Sequence, residues 1–133
     1  MNDANTKKLF AEFPNLYCDK NLPDTQSRMI DGFCCGDGWF DLVHRASQKL
    51  EKLIIEYKKN NPHDPKPPRA FQVKQKYGAL VIYMSHGTDE MDDVLKEAEE
   101  RSYRICEKCG CPGKVRSEKR FVQSLCESHF KNQ

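Results

Sequence analysis

The chain has 133 residues, of which 38% are hydrophobic and 32% are charged. A chain of this length and composition is expected to build one ordinary hydrophobic core. Its 22 basic residues nearly balance its 20 acidic residues, for a formal net charge of +2. This balance argues against a dedicated polyanion binder but leaves room for a local basic surface.

The first residues contain no apolar segment of the kind that a secretion signal needs. No stretch of the sequence is apolar enough to cross a membrane. We therefore expect a cytoplasmic protein without a membrane partner. In that compartment the seven cysteines, an odd number, favour reduced thiols and metal binding over a disulfide framework.

Residues 6–13 are predicted to form a short helix, with Asn5 or Thr6 as its cap and Pro14 just beyond its end. Its apolar face consists of Leu9, Phe10 and Phe13. Residues 15–30 show no sustained period and are predicted to form a loop.

A glycine-rich stretch follows at residues 31–41, where Gly32, Gly36 and Gly38 surround two cysteines and precede Trp39. Glycines at this density permit positive φ and close approach of the backbone to a ligand or to another chain segment. Asp37 is also placed where it could cap the helix that follows.

Residues 39–57 carry an apolar stripe of helical period, which predicts the most secure helix of the chain. The proline-rich residues 58–68 end it. Residues 69–77 and 79–85, separated by Gly78, predict a β-hairpin with one polar face. A second long helix is predicted from Thr88, its cap, towards Ile105.

Two pairs of metal-ligand residues dominate the last quarter of the chain. Cys106 and Cys109 form a CxxC pair, and Cys126 and His129 are three residues apart, so that one helical turn would point both the same way. The spacing predicts one structural zinc ion with a Cys3His ligand set. A disulfide or free thiols are the alternative, and a second metal site using Cys18, Cys34, Cys35 or Cys111 stays open.

Residues 114–122 can form a small hairpin before a terminal helix that begins near Leu125. A knuckle, a hairpin and a helix in this order are typical of a treble-clef-like finger. The predicted fold is therefore α+β: two long helices packed on a β-hairpin in a core domain of residues 1–105, with a zinc finger of residues 106–133 docked on it.

Three ordered motifs carry a resemblance: CGDGWFDL at residues 35–42, QVKQKYGAL at residues 72–80, and CEKCGCPG at residues 106–113 followed by LCESH at residues 125–129. Together they resemble a widespread family of small, mostly uncharacterised proteins encoded by phages and bacterial prophages. The resemblance implies the cytoplasm of a host cell as the setting and antagonism of a host defence protein as a possible role.

Three classes of function were weighed from the residues. The first is a non-catalytic protein that captures a host protein or a nucleotide-like ligand. Such a ligand requires aromatic faces, amide hydrogen bonds and positive charge. The residues predicted to supply these are Asp37, Trp39, Gln72, Lys74, Lys76, Tyr77 and Tyr83.

Nucleic-acid binding is the alternative, because basic residues surround one aromatic ring in the finger. This second set consists of Lys114, Arg116, Lys119, Arg120 and Phe121. A hydrolase using Asp37, Asp41 and His44 is the least favoured class, since no complete catalytic motif is present. The oligomeric state stays open, with a homodimer among the options.

Overall fold

Four helices and five short strands make up the computed structural model, which describes residues 1–132. The helices are α1 (Asp3–Glu12), α2 (Phe40–Asn60), α3 (Asp89–Ser102) and α4 (Glu127–Lys131). The strands are β1 (Phe33–Cys34), β2 (Ala70–Lys76), β3 (Ala79–Met84), β4 (Lys114–Arg116) and β5 (Gln123–Leu125). The chain is therefore mixed α+β, as predicted.

Helix α1 begins earlier than predicted because Asn2, and not Asn5 or Thr6, is its cap. The Asn2 side chain accepts a hydrogen bond from the Asn5 N–H at 2.8 Å, which satisfies a backbone donor of the first turn. The predicted apolar face is confirmed: Leu9 and Phe13 are buried, and Phe10 packs against the core.

The central strand of the three-stranded sheet is β2, which pairs antiparallel with β3 and parallel with β1. The two strands of the predicted hairpin meet in a two-residue turn in which Tyr77 and Gly78 both have positive φ, 51° and 89°. Two positive φ values in succession are the signature of the turn that matches the twist of paired strands. Strand β1 was not predicted, because two residues are too few to show alternation.

The two faces of the hairpin differ sharply in chemistry. Val73, Leu80 and Ile82 are buried in the core, on the side that the helices cover. The opposite face, called the outer face below, carries Gln72, Lys74, Lys76, Val81 and Tyr83. The alternation of β2 is interrupted where the register shifts between Ala70 and Gln72. There the Phe71 ring lies against the Tyr83 ring with centroids 5.8 Å apart.

Helices α2 and α3 pack on each other, and α3 packs on β3. Thr88 caps α3 as predicted, its side chain accepting a hydrogen bond from the Met91 N–H at 3.3 Å. The helix ends at Ser102, whose hydroxyl accepts a hydrogen bond from the Leu80 N–H at 2.9 Å. This buried contact ties the end of α3 to the start of β3.

Residues 106–132, called the C-terminal unit below, contain a cysteine turn, the antiparallel pair of β4 and β5, and then α4. The order is the predicted one, although the helix begins at Glu127 and not near Leu125. Residue 133, the last of the predicted finger, lies outside the described residues. Among residues 1–132, no helix has the length and apolar character needed to cross a membrane.

Candidate metal centre and basic groove

The four predicted metal ligands come together in the C-terminal unit. The Nδ1 atom of His129 lies 3.6 Å from Cys106 Sγ and 3.3 Å from Cys126 Sγ, and Cys109 Sγ lies 3.8 Å from Cys126 Sγ. All four ligand atoms are within 4.8 Å of one another. A tetrahedron with metal–sulfur bonds of about 2.3 Å and a metal–nitrogen bond of about 2.0 Å has edges of about 3.5–3.8 Å. Three of the six distances are close to these values, so the cluster is compatible with a single tetrahedral ion.

Local backbone structure explains why these side chains converge. The Gly110 N–H donates to the Cys106 carbonyl at 2.9 Å, and the Cys106 N–H donates to the Cys111 carbonyl at 2.8 Å. Gly110 has φ of 80°, a conformation that L residues with side chains rarely adopt. On the other side of the site, Cys126 is the cap of α4, and His129 lies one turn into that helix.

The electrostatics of the site favour a thiolate at Cys106. Burial alone would raise the pKa of this thiol. The backbone N–H groups of Cys126, Cys109 and Lys108 outweigh burial and lower the pKa to about 6. A thiolate is the form that binds a metal ion.

The glycine-rich stretch is the surface on which the C-terminal unit docks. A Cβ atom on Gly38 would lie 2.3 Å from the Cys106 carbonyl oxygen and 2.5 Å from the Cys109 nitrogen. A Cβ atom on Gly36 would lie 2.4 Å from the Glu107 carbonyl oxygen. Of the two readings of this stretch, the structure therefore supports close approach of another chain segment.

Two side-chain hydrogen bonds reinforce this docking. The Trp39 indole donates to the Ile105 carbonyl at 2.9 Å, and the buried Glu107 carboxylate accepts from the Gly36 N–H at 2.9 Å. Desolvation raises the pKa of Glu107 in spite of this hydrogen bond. The glycines in the sequence indicated a close approach of the backbone to another group. They did not indicate that this group is the C-terminal unit.

The predicted ligand residues divide into two groups. Trp39 is fully buried, so it has no face to offer a ligand at the surface. The Asp37 carboxylate does not cap α2 but accepts hydrogen bonds from the Asn2 N–H at 2.8 Å and the Asn5 side chain at 3.2 Å. The first of these bonds contributes most to lowering the pKa of Asp37.

The other predicted ligand residues lie together on the hairpin. Gln72, Lys74, Lys76 and Tyr83 share the outer face. Tyr77, at the turn, is 75% exposed. The structure thus brings five of the seven residues into one surface, leaves Trp39 buried where the C-terminal unit docks, and leaves Asp37 bound to the start of α1.

The end of this hairpin and the loop between β4 and β5 enclose a groove of about 320 Å³, called the basic groove below. Its lining consists of Lys74, Gln75, Lys76, Tyr77, Arg120, Phe121 and Val122. Phe121 is 65% exposed, and the Arg120 guanidinium lies 5.4 Å from its ring centroid. The groove therefore combines residues from both predicted binding sets.

The groove is held in shape by a contact between hairpin and C-terminal unit. The Ser124 hydroxyl donates to the Gly78 carbonyl at 2.6 Å, and this bond is buried. A Cβ atom on Gly78 would lie 3.3 Å from a methyl group of Val115. The turn that presents Tyr77 thus rests directly on β4 and β5.

The remaining predicted nucleic-acid residues have other surroundings. Arg116 is buried, donates to the Leu125 carbonyl at 3.2 Å, and lies over the Phe130 ring at 4.7 Å. The Lys119 ammonium donates to the Phe130 carbonyl at 2.8 Å. Lys114 is exposed on β4. Arg116 and Lys119 are therefore engaged in holding α4, whereas Arg120 and Phe121 face the groove.

Two of the three residues of the hydrolase hypothesis are engaged separately, and the third, Asp41, is exposed on α2. The His44 imidazole is 2.5 Å from the Glu12 carboxylate and packs against the Phe13 ring, whereas Asp37 is bound to Asn2 and Asn5. Within residues 1–132, the Cys3His cluster is the one group of three or more histidine, cysteine and carboxylate side chains close enough to share an ion.

No family model, no curated protein and no solved structure matches this chain. The resemblance to phage and prophage proteins therefore stays a prediction from the three motifs. Function has to be argued from the geometry of the metal centre and the basic groove.

Proposed function

We propose that this is a zinc-stabilised, non-catalytic binding protein whose basic groove captures a nucleotide-like ligand, with phosphate and base recognised together. The observation that supports this most directly is the lining of the groove. Three cationic side chains, Lys74, Lys76 and Arg120, and two exposed rings, Tyr77 and Phe121, meet in one concavity. The lining contains no carboxylate.

The charge of the groove suits phosphate. Within residues 1–132, no ion pair joins Lys74, Lys76 or Arg120 to a carboxylate. Unpaired ammonium and guanidinium groups are the usual phosphate ligands of proteins. The two exposed rings offer the faces on which a base can stack, which contributes about 1–3 kcal/mol per base in single-strand binders.

Zinc is the ion that we propose for the Cys3His cluster. Three thiolates and one imidazole in tetrahedral arrangement form a typical structural zinc site, and all four positions are then taken by protein. A catalytic zinc keeps one position for water or substrate. We propose further that the cysteine turn, the β4–β5 hairpin and α4 constitute a treble-clef-like finger.

The metal assignment is tested by native mass spectrometry of protein purified without chelator. We expect a mass increment of one zinc ion per chain, lost in the Cys126→Ser variant. An iron-containing or metal-free protein would contradict the assignment.

The binding proposal is tested by calorimetric titration at low ionic strength with ATP, adenosine and inorganic triphosphate. We expect ATP to bind at least tenfold more tightly than either fragment, because only ATP engages both the cations and the rings. Lys76→Ala should weaken ATP binding about tenfold. Lys52→Ala, at an exposed position of α2, is the matched control and should have no effect. Absence of ATP binding under these conditions would overturn the proposal.

The resemblance suggests a biological setting for such a protein. Sequestration of a nucleotide signal by a phage-encoded protein would antagonise a host defence that depends on that signal. Protection of a phage from a nucleotide-signalling defence by the intact protein, and not by the Lys76→Ala variant, is the result we expect. Capture of a host protein stays a prediction from the resemblance alone.

A further inference from the structure

We propose that the ligand is a segment of single-stranded nucleic acid that begins in the basic groove and continues along the outer face of the hairpin. This inference rests on the function proposed above and names its ligand more narrowly. A free nucleotide would fill only the groove. A strand would also use the residues beyond it, which have no part in a mononucleotide site.

A row of two lysines, which line the groove, and one amide side chain beyond them leads out of the groove. Lys76, Lys74 and Gln72 alternate along β2 and therefore point to the same side of the sheet. Successive side chains on one side of a strand are about 6.6 Å apart, so this row covers about 13 Å. The interval between these side chains is comparable to the distance between successive phosphates of an extended single strand, and Gln72 and Tyr83 lie beyond the residues that line the groove.

Aromatic rings stand at both ends of the row. Tyr77 and Phe121 occupy the groove end. At the other end Tyr83, directly opposite Gln72 in the register, lies against Phe71 with ring centroids 5.8 Å apart. Proteins bind single strands with rings that stack on bases and cations that contact the backbone, and here two lysines and an amide lie between the rings.

The two strands of the hairpin carry no repelling charge of their own. No acidic residue occurs between positions 70 and 84. Beside Lys74 in the register is Cys34, whose side chain is exposed, so β1 does not obstruct the row. The rings select against a duplex, because paired bases keep their faces stacked on each other.

The inference is tested by fluorescence anisotropy with labelled oligothymidylates and oligouridylates of two, four and eight nucleotides, with thymidine monophosphate as competitor. We expect affinity to rise at least tenfold between one and four nucleotides and then to level off. The slope of log affinity against log salt concentration should be about −2, the value for three contacts to a single strand. A hairpin duplex should bind more weakly than the single strands.

The outcomes separate this inference from the function on which it rests. Equal affinities for the monophosphate and the oligonucleotides would leave the nucleotide site standing and overturn the extended track. Tighter binding of the duplex would also overturn it. Failure of every probe to bind would remove both proposals.

Two variants locate the strand on the surface. Tyr83→Leu keeps an apolar side chain next to Phe71 but removes the stacking ring, so we expect about tenfold weaker binding of the four-nucleotide probe and unchanged binding of the monophosphate. Tyr83→Phe keeps the ring and should restore oligonucleotide affinity. Tyr77→Ala should weaken both ligands. If Tyr83→Leu changed neither affinity while its thermal unfolding matched that of the parent, the outer face would not be part of the site.

Discussion

Tyr77 is held in an unfavourable backbone conformation at the position where its ring is most exposed. Its φ of 51° makes it the one residue other than glycine, among residues 1–132, with positive φ. For an L residue with a side chain, this region costs about 1–2 kcal/mol. Strained backbone conformations occur often at binding sites, and this one places an exposed ring beside three cations.

Replacement of Tyr77 by asparagine should therefore raise the stability of the protein and weaken its binding of ATP. Asparagine tolerates this conformation and is favoured before glycine in such turns, so we expect Tyr77→Asn to raise Tm by about 2–5 °C. Loss of the ring should weaken ATP binding at the same time. Calorimetric unfolding and titration of the same preparation provide both values. A variant with lower Tm and unchanged affinity would refute this interpretation of the turn.

Adjacent cysteines provide a second prediction at this scale. Cys34 is exposed, whereas Cys35 is 7% exposed and desolvation raises the pKa of its thiol to about 12. The nucleophile in alkylation is the thiolate, so a raised pKa slows the reaction. We expect iodoacetamide at pH 7–8.5 to modify Cys34 at least tenfold faster than Cys35, as measured by peptide mass spectrometry.

The Cys34→Ser variant is the control for that experiment, because it leaves Cys35 as the single thiol of the pair. Rapid alkylation of Cys35 in the folded variant would show that its thiol is not buried in the core. Unfolding in urea should make Cys35 as reactive as Cys34 is in the parent protein.

Among the structural elements, the glycine-rich stretch is the one that brings the C-terminal unit into close backbone contact with the core. Gly36 and Gly38 let two backbone segments approach within distances that a Cβ atom would prevent. Trp39 then places its ring in the core and its N–H on the Ile105 carbonyl. The stretch therefore joins the end of α3, the cysteine turn and the start of α2 in one contact.

Gly38→Ala should disrupt this contact. The added methyl group would lie 2.3 Å from the Cys106 carbonyl oxygen, and because backbone has to move to relieve the overlap we expect a loss of about 3 kcal/mol in the free energy of unfolding. Gly87→Ala is the matched control, since its methyl group would make ordinary contacts with the Met91 side chain at 3.5 Å and the Asp92 carboxylate at 4.0 Å. Urea unfolding followed by circular dichroism measures both variants.

If Gly38→Ala and Gly87→Ala lost the same stability, docking through the glycine-rich stretch would not explain the difference between the two sites. Zinc retention offers an independent measurement. We expect Gly38→Ala to release zinc to a chelator faster than Gly87→Ala does.

The sequence could predict those elements whose pattern lies within one stretch of the chain. Local periodicity predicted helices α2 and α3 and the hairpin, and local spacing predicted the four metal ligands. Strand β1, by contrast, exists because Phe33 lies opposite Val73 in the sheet, and nothing near Phe33 in the chain records that partner. The irregularity that places Phe71 against Tyr83 has the same non-local origin.

At the scale of the whole molecule, the cluster of metal ligands and one side of the basic groove belong to the same C-terminal unit. One side of the basic groove belongs to the hairpin and the other to the C-terminal unit. The sequence placed Lys74, Lys76 and Tyr77 in one predicted set and Arg120 and Phe121 in another. Their meeting depends on docking of the C-terminal unit, which periodicity and spacing do not reveal.

Removal of the metal should therefore abolish binding before the core unfolds. We expect a zinc chelator to weaken ATP binding at least tenfold while α2 and α3 retain most of their far-ultraviolet circular dichroism. Tryptophan emission should shift to longer wavelength as the bond from Trp39 to Ile105 is lost. Added zinc should restore affinity and emission together, and undiminished binding by the metal-free protein would contradict this dependence.

The hydrogen bond from Ser124 to Gly78 has a consequence in the opposite direction. Thermodynamic linkage is reciprocal. A ligand that contacts both Lys76 and Arg120 would therefore stabilise the contact between the hairpin and the C-terminal unit. The protein with ligand bound is then expected to bind its metal more tightly than the protein without ligand. The concentration of the ligand would in this way contribute to the stability of the C-terminal unit.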